Sequence, residues 1–328
     1  MANKNIMFFC IILCFIDNLN ARESNYRNHY WGIIGRNHKI YMELKIEKDS
    51  VNGYYFYYKI NKYIQLKGNI NQDKSFKICE YANGNLTGIF KGSLKDSNKL
   101  TGEWSNPDGK KKFPYNLKLI AQEKEFKSEH YDVCVKYPKF YIDNKKLEEM
   151  LNETLRNRAL SRYNDFIASI DESAGLETSP PEYSEDYNIE YFSNEIISLS
   201  FISYSYYPGA AHGYTDYPTL NILLTSEIIK EIELGDLFVL NSNYLKIISD
   251  ICIRSLKKQG ASFVVEGEIK DVSELLDNFV ITPSGLEFIF SPYTVGPYVE
   301  GYYTVEIPYK DLKNIIDLNS PLSKIIIF

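Results

Sequence analysis

His212 is one of only four histidines in 328 residues. It lies in "YYPGAAHGYTDYPTLNI" (206–222), four positions before Asp216. An imidazole oriented by a carboxylate is the unit of general-base catalysis, so His212 and Asp216 are the candidates for chemistry. Such a pair needs a nucleophile. Ser203, Ser205 and Thr215 are close in sequence, but none stands in a strand–turn–helix elbow of the GxSxG kind, and "TPSGL" (282–286) reads as a plain turn. A metal site needs more ligands than one histidine. His29, His38 and His130 are distant, no two histidines share a helical spacing, and no CxxC occurs. The structural reading asks for less: Gly209, Ala210 and Ala211 let the backbone approach closely, and an imidazole satisfies turn amides and carbonyls. No catalytic residue, metal or cofactor is therefore assigned.

A second stretch points to binding rather than reaction. In "FSPYTVGPYVEGYY" (290–303), Pro292, Gly296, Pro297 and Gly301 forbid an uninterrupted central strand, so the segment should form a loop or hairpin. Tyr293 and Tyr298 follow prolines that stiffen the backbone, and Glu300 is the only charge. Rigid amphipathic rings lose little entropy on binding and are enriched at energetic hot spots. Pro292, Tyr293, Pro297, Tyr298 and Glu300 are the candidate binding residues. The alternative is that these tyrosines pack over a sheet, as most of the 28 in the chain must.

These segments need elements to hold them. Residues 1–21 carry Lys4, an apolar run Ile6–Ile16 and a small-residue exit, the pattern of an export signal and too short for a membrane span. Beyond it lie Cys79, Cys134 and Cys252, an odd number that reads most simply as free thiols, with a Cys134–Cys252 bond left open. Charge divides the remainder: residues 22–125 sum to +8 and residues 126–328 to −14. Between Arg162 and Lys230 no lysine or arginine occurs. The stretch "DESAGLETSPPEYSEDYNIE" (171–190) reads as a long acidic surface loop, able to dock on lysines such as Lys110–Lys112.

The basic half is a series of alternating runs from "HKIYMELKI" to "FPYNLKLI", seven strands at about ten-residue spacing. They imply an all-β up-and-down sheet or small barrel over 22–125. The acidic half, 126–328, mixes periods: strands around "EIISLSFISYSYY", a long helix capped by Asp143, and a second helix over 243–258. That helix places Leu245, Ile248, Cys252 and Leu256 on one face and stops at Gly260. The expected class is α+β, with a mostly antiparallel sheet and two main helices.

The acidic half also resembles a known family. "YPGAAHGYTDYPTLNILLTSEIIKEIELGDLF" is similar to that family's Gly-Gly-Ala-His turn and its Leu-x-Asp-Leu-Phe motif. "ITPSGLEFIFSPYTVGPYVEGYYTVEIPYKDLK" is similar to its closing Pro-Tyr hairpin. The family is the extracytoplasmic domain shared by RsiV-like lysozyme-sensing anti-sigma factors and the peptidoglycan deacetylase PdaC. The resemblance implies an exported binding domain, periplasmic or extracellular, that recognises a basic protein such as c-type lysozyme, or peptidoglycan. Neither nucleic-acid binding nor stable membrane insertion is expected. The alternative it implies is a hydrolase or deacetylase acting on peptidoglycan, or the accessory domain of one.

Overall fold

The computed structural model describes residues 26–58, 60, 62–94, 98–170 and 180–326. The expected export signal lies outside them, as does 171–179 of the acidic stretch. Eight strands come first: β1 (Tyr26–Ile34), β2 (His38–Glu47), β3 (Ser50–Tyr57), β4 (Ile64–Ile70), β5 (Ser75–Ala82), β6 (Asn85–Ser93), β7 (Lys99–Ser105) and β8 (Lys112–Lys127). Each pairs with the next. β1 returns antiparallel onto β8, from Asn28↔Gln122 to Ile34↔Tyr115, and closes a barrel. Tyr30, Met42, Tyr55, Phe76, Phe90 and Leu117 fill its interior, so this is a packed core rather than a cup. Gly68 is required where β4 meets β5, because a Cβ there would lie 2.2 Å from the Lys77 carbonyl oxygen.

The barrel has one strand more than the alternating pattern shows. β1 was hidden because His29 is as buried as Asn28 and Tyr30 beside it. A strand covered on both faces loses its period of two.

β8 continues past the barrel without a break, and its Ala121–Lys127 end pairs with β9 (Asp132–Phe140). Helix α1 (Lys145–Ala168) follows. Its cap is Asn144 and not Asp143: Asn144 Oδ1 accepts the Leu147 N–H at 3.3 Å, while the Asp143 carboxylate takes the Lys118 ammonium. β10 (Glu182–Phe192) runs parallel to β9. β11 (Ile196–Tyr206) is antiparallel to it, and carries β12 (Tyr214–Asp216) at one end and β13 (Thr219–Leu224) at the other. β14 (Ile229–Glu231) completes the sheet. Helices α2 (Tyr244–Gln259) and α3 (Ser262–Val265) precede a three-stranded antiparallel sheet, β15 (Phe279–Ile281), β16 (Gly285–Phe290) and β17 (Tyr303–Pro308), which α4 (Tyr309–Leu312) follows. Helix α2 buries Ile248, Cys252 and Leu256 and ends at Gly260 with φ 87°. Leu245, expected on the same face, is exposed. The protein is mostly β, with an N-terminal closed barrel, a C-terminal sheet and two long helices among four.

The acidic stretch is not a loop beyond residue 181. In β10 Tyr183, Tyr187, Ile189 and Tyr191 turn inward on alternate positions, and its acids meet partners from other elements. Glu185 is fully buried against Arg158 of α1, with Ser203 Oγ donating to it at 2.7 Å. Asp186 meets Arg27 of β1. Burial raises the pKa of Glu190, against the pull of the Ser200 hydroxyl that donates to it.

The two halves share a core. Tyr41, Phe56 and Ile120 from the barrel pack with Phe140, Phe192, Leu199 and Phe201. At its centre the His29 ring nitrogens lie 2.6 Å from the Tyr41 hydroxyl and 2.9 Å from the Tyr187 hydroxyl. Burial, and then the nearby Arg27 charge, push the pKa of His29 well below 6.5. The Arg27 guanidinium sits 4.4 Å over the Tyr187 ring and donates to Glu123 at 2.6 Å. Lys110 and Lys112 instead pair within the barrel, with Asp108 and Glu103. The join is therefore an apolar seam around one buried cation. The three described cysteines are all free; burial lifts Cys252 to about 12, and burial with the adjacent Glu125 lifts Cys134 to about 11.

Candidate functional site

Residues 291–302 form the loop between β16 and β17, and residues 207–213 the turn between β11 and β12. Although 81 positions separate His212 from Tyr293, the two segments meet on one face. The His212 ring stacks on Tyr298 with centroids 4.4 Å apart, and the Tyr293 hydroxyl lies 3.5 Å from His212 Nε2. Tyr293 and Tyr214 approach the Tyr298 ring at 5.5 and 6.5 Å. Beside them Tyr217 stacks on Tyr302 at 4.1 Å. Tyr293 is 52% exposed, Tyr302 48% and Tyr214 42%. The result is a surface of stacked rings open to solvent.

Local chemistry explains the shape of each segment. Ser291–Thr294 is a turn closed by the Thr294 N–H on the Ser291 carbonyl at 3.1 Å. Pro292 occupies its second position, and Tyr293 its third with φ 71°. That is a type II turn with a tyrosine where glycine is the usual occupant. Pro292 itself is buried; Pro297 precedes a 3-10 turn over Tyr298–Glu300. In the facing turn the close approach comes at Gly213, not at Gly209–Ala211. A Cβ on Gly213 would lie 2.3 Å from the Tyr204 ring.

The polar groups are engaged by hydrogen bonds. Glu300 accepts the Ser262 N–H at 3.2 Å and the Tyr303 hydroxyl at 2.8 Å. Those bonds, from Ser262 and then Tyr303, hold its carboxyl below the usual range. Glu300 thus ties the loop to the start of α3, rather than pointing freely at solvent. His212 Nδ1 donates to the Gly213 carbonyl at 2.7 Å. Asp216 accepts from Ser291 Oγ at 2.6 Å and from the Tyr217 N–H at 2.9 Å. His212 and Asp216 share no hydrogen bond or ion pair among the described residues, and Ser203 is turned toward Glu185. The arrangement offers aromatic surface, with carboxylates engaged by hydrogen bonds in and beside the two segments. Sequence reasoning missed Tyr214, Tyr217 and Tyr302. The density of tyrosine in both motifs was the available signal.

Residues 235–310 match the family described as "Protein of unknown function (DUF3298)", and residues 124–215 match "Deacetylase PdaC". The chain carries a segment similar to each. His212 and Tyr214 fall in the PdaC-like segment and Tyr293, Tyr298 and Tyr302 in the DUF3298-like one, so the aromatic face joins the two. Two solved structures are also similar. One is a DUF3298-family member from Bacteroides fragilis NCTC 9343, 14% identical, covering 62% of this chain and 96% of its own, with a TM-score of 0.48. The other is a DUF3298-family protein from Pseudomonas aeruginosa PAO1, 15% identical, covering 60% and 94%, with a TM-score of 0.43. No curated protein matches this chain.

Proposed function

We propose that the chain is an exported, non-catalytic binding protein of the cell envelope, and that the face built by His212, Tyr214, Tyr293, Tyr298 and Tyr302 makes the contact. One observation carries this reading: two loops distant in sequence converge to stack half-exposed rings on one another. His212 and Asp216 are hydrogen-bonded to other groups and not to each other. A basic protein is the partner the charge favours, since residues 126–328 sum to −14 and such a field raises association rates with cations. The RsiV-like resemblance makes c-type lysozyme the first to try. The location is periplasmic or extracellular.

The match of 124–215 to PdaC favours a second reading, an accessory domain that engages peptidoglycan. Titration of the protein against c-type lysozyme, at low and at physiological salt, separates the two from a parallel sedimentation with purified cell wall. Tyr298→Ala is expected to cost about 2 kcal/mol of affinity for whichever partner binds, with the melting temperature little changed. No binding to lysozyme at tens of micromolar at either salt removes that partner. Unchanged affinity with lost stability returns Tyr298 to the core.

A further inference from the structure

A cleft of about 1100 Å³ lies between one rim of the barrel and the C-terminal half, on elements that the aromatic face does not use. Its barrel wall is made by Tyr57 and Tyr58 at the end of β3, with Trp104 and Phe113 from β7 and β8. The opposite wall carries Tyr309 and the apolar pair Ile325 and Ile326. The barrel wall is preformed. Trp104 stacks on Phe113 at 5.8 Å and its indole N–H donates to the buried Glu80 at 2.8 Å. The Tyr58 hydroxyl donates to the Phe192 carbonyl and that of Tyr309 to the Thr282 carbonyl, both at 2.8 Å. These phenols are satisfied internally, which leaves their ring surfaces as the apolar lining.

The charged lining is of one sign. Lys39, Lys310 and Lys324 border the cleft, and none of the described lining residues is acidic. Lys39 and Lys310 have no ion-pair partner among the described residues, and Lys324 reaches Glu195 only at 3.9 Å. Ammonium groups without a close ion-pair partner among the described residues, beside an aromatic wall, suit an apolar body with an anionic head. This cationic patch lies in a protein whose net charge is −6, so the local sign is opposite to the global one.

We propose that this cleft binds an acyl-chain amphiphile with an anionic head group. The chain lies along Tyr57, Tyr58, Trp104 and Phe113, and the head is held by Lys39 and Lys310. The cleft volume lies just above the range of ordinary small-molecule sites, which suits a flexible chain. A free fatty acid and a lysophospholipid share this chemistry, and the test distinguishes them.

The experiment is calorimetric titration of the whole protein with laurate, with a lauroyl lysophosphatidylglycerol, and with dodecyltrimethylammonium, which keeps the chain and reverses the charge. One or both anions are expected to bind saturably at one per chain, the better of them identifying the source of the head group. The cation should bind at least tenfold more weakly. The double variant Lys39→Ala with Lys310→Ala changes only side chains that bear on the head, and should weaken anion binding by roughly tenfold or more. Phe113→Glu places a negative charge on the exposed wall and should abolish it, with the folded state checked by circular dichroism. Equal binding of anion and cation, or anion binding unchanged in the lysine variant, would overturn the proposal even if Phe113→Glu fails to fold. So would the absence of binding by both anions.

Discussion

His29 offers a direct measure of what joins the two halves. Its ring is fully buried and bridges Tyr41 of the barrel and Tyr187 of β10. A neutral imidazole supplies one donor and one acceptor, and each phenol accepts either role. Burial, with Arg27 beside it, keeps the folded ring neutral to well below pH 6.5. The unfolded chain takes up a proton near 6.5, so between the two values the unfolded state binds one more proton than the folded state. Stability is therefore fully present above pH 6.5 and is lost as the pH falls. The loss is about 1.4 kcal/mol for each pH unit while the folded ring stays neutral. His29→Gln preserves one of the two bonds and does not titrate. It leaves one buried hydroxyl unmatched, at about 1–3 kcal/mol near pH 8. Urea unfolding of both proteins at pH 8, 6.5, 5.5 and 5 should show the wild-type advantage shrinking toward zero near pH 5. Burial also raises the pKa of Glu43, whose carboxylate lies 3.6 Å from His29 Nδ1. That carboxylate touches the substituted side chain, so both proteins are compared in a Glu43→Gln background, where the difference reports the ring. Parallel stability curves from pH 8 to 5 would refute the argument, since the folded ring would then be taking its proton as readily as the unfolded one.

Two further substitutions probe backbone geometry. Tyr293→Asn places a residue that tolerates the left-handed region at φ 71°. It should raise stability by about 0.5–1 kcal/mol in urea while weakening partner binding; a loss of stability would mean that ring stacking outweighs the strain. Gly68→Ala drives a methyl group to 2.2 Å from the Lys77 carbonyl oxygen. It should destabilise the barrel by roughly 1–3 kcal/mol, read as a lower urea midpoint, and an unchanged midpoint would mean that β4 shifts freely against β5.

Legibility in the sequence followed burial. Strands with one wet face, such as β4 with Leu66 and Ile70 inward and Gln65 and Lys67 outward, showed their period and were found. β1 was covered on both sides and was missed, which left the closure of the barrel undecided. β10 reads as a surface loop because its acids suggest solvent, whereas Glu185 and Asp186 face arginines from α1 and β1. Composition within a segment cannot report partners that arrive from elsewhere. The same limit applies to the site. The Pro-Tyr segment was legible as a loop because prolines and glycines act locally. Its contact with the His212 turn is a tertiary fact that no spacing encodes. Glu300 shows the same limit: its charge makes it a candidate contact, while its bonds to Ser262 and Tyr303 come from tertiary structure.

Hydrogen bonding does not remove that charge. A carboxylate whose pKa is lowered by its donors is more firmly ionised at neutral pH, so Glu300 contributes a fixed negative charge to the loop that carries Tyr293 and Tyr298. Tyrosine faces are themselves electron-rich and attract guanidinium and ammonium groups, with Arg the more frequent partner. The proposed contact therefore has two separable parts. The long-range field acts during approach and is screened over about 8 Å at physiological salt, so added salt should slow association. The rings act after contact, within van der Waals distance, where salt has little reach. Truncating Tyr298 should then appear in the dissociation rate, as most interface substitutions do. If Tyr298→Ala instead slowed association and left dissociation unchanged, the rings would not form the bound contact, and the field alone would account for capture.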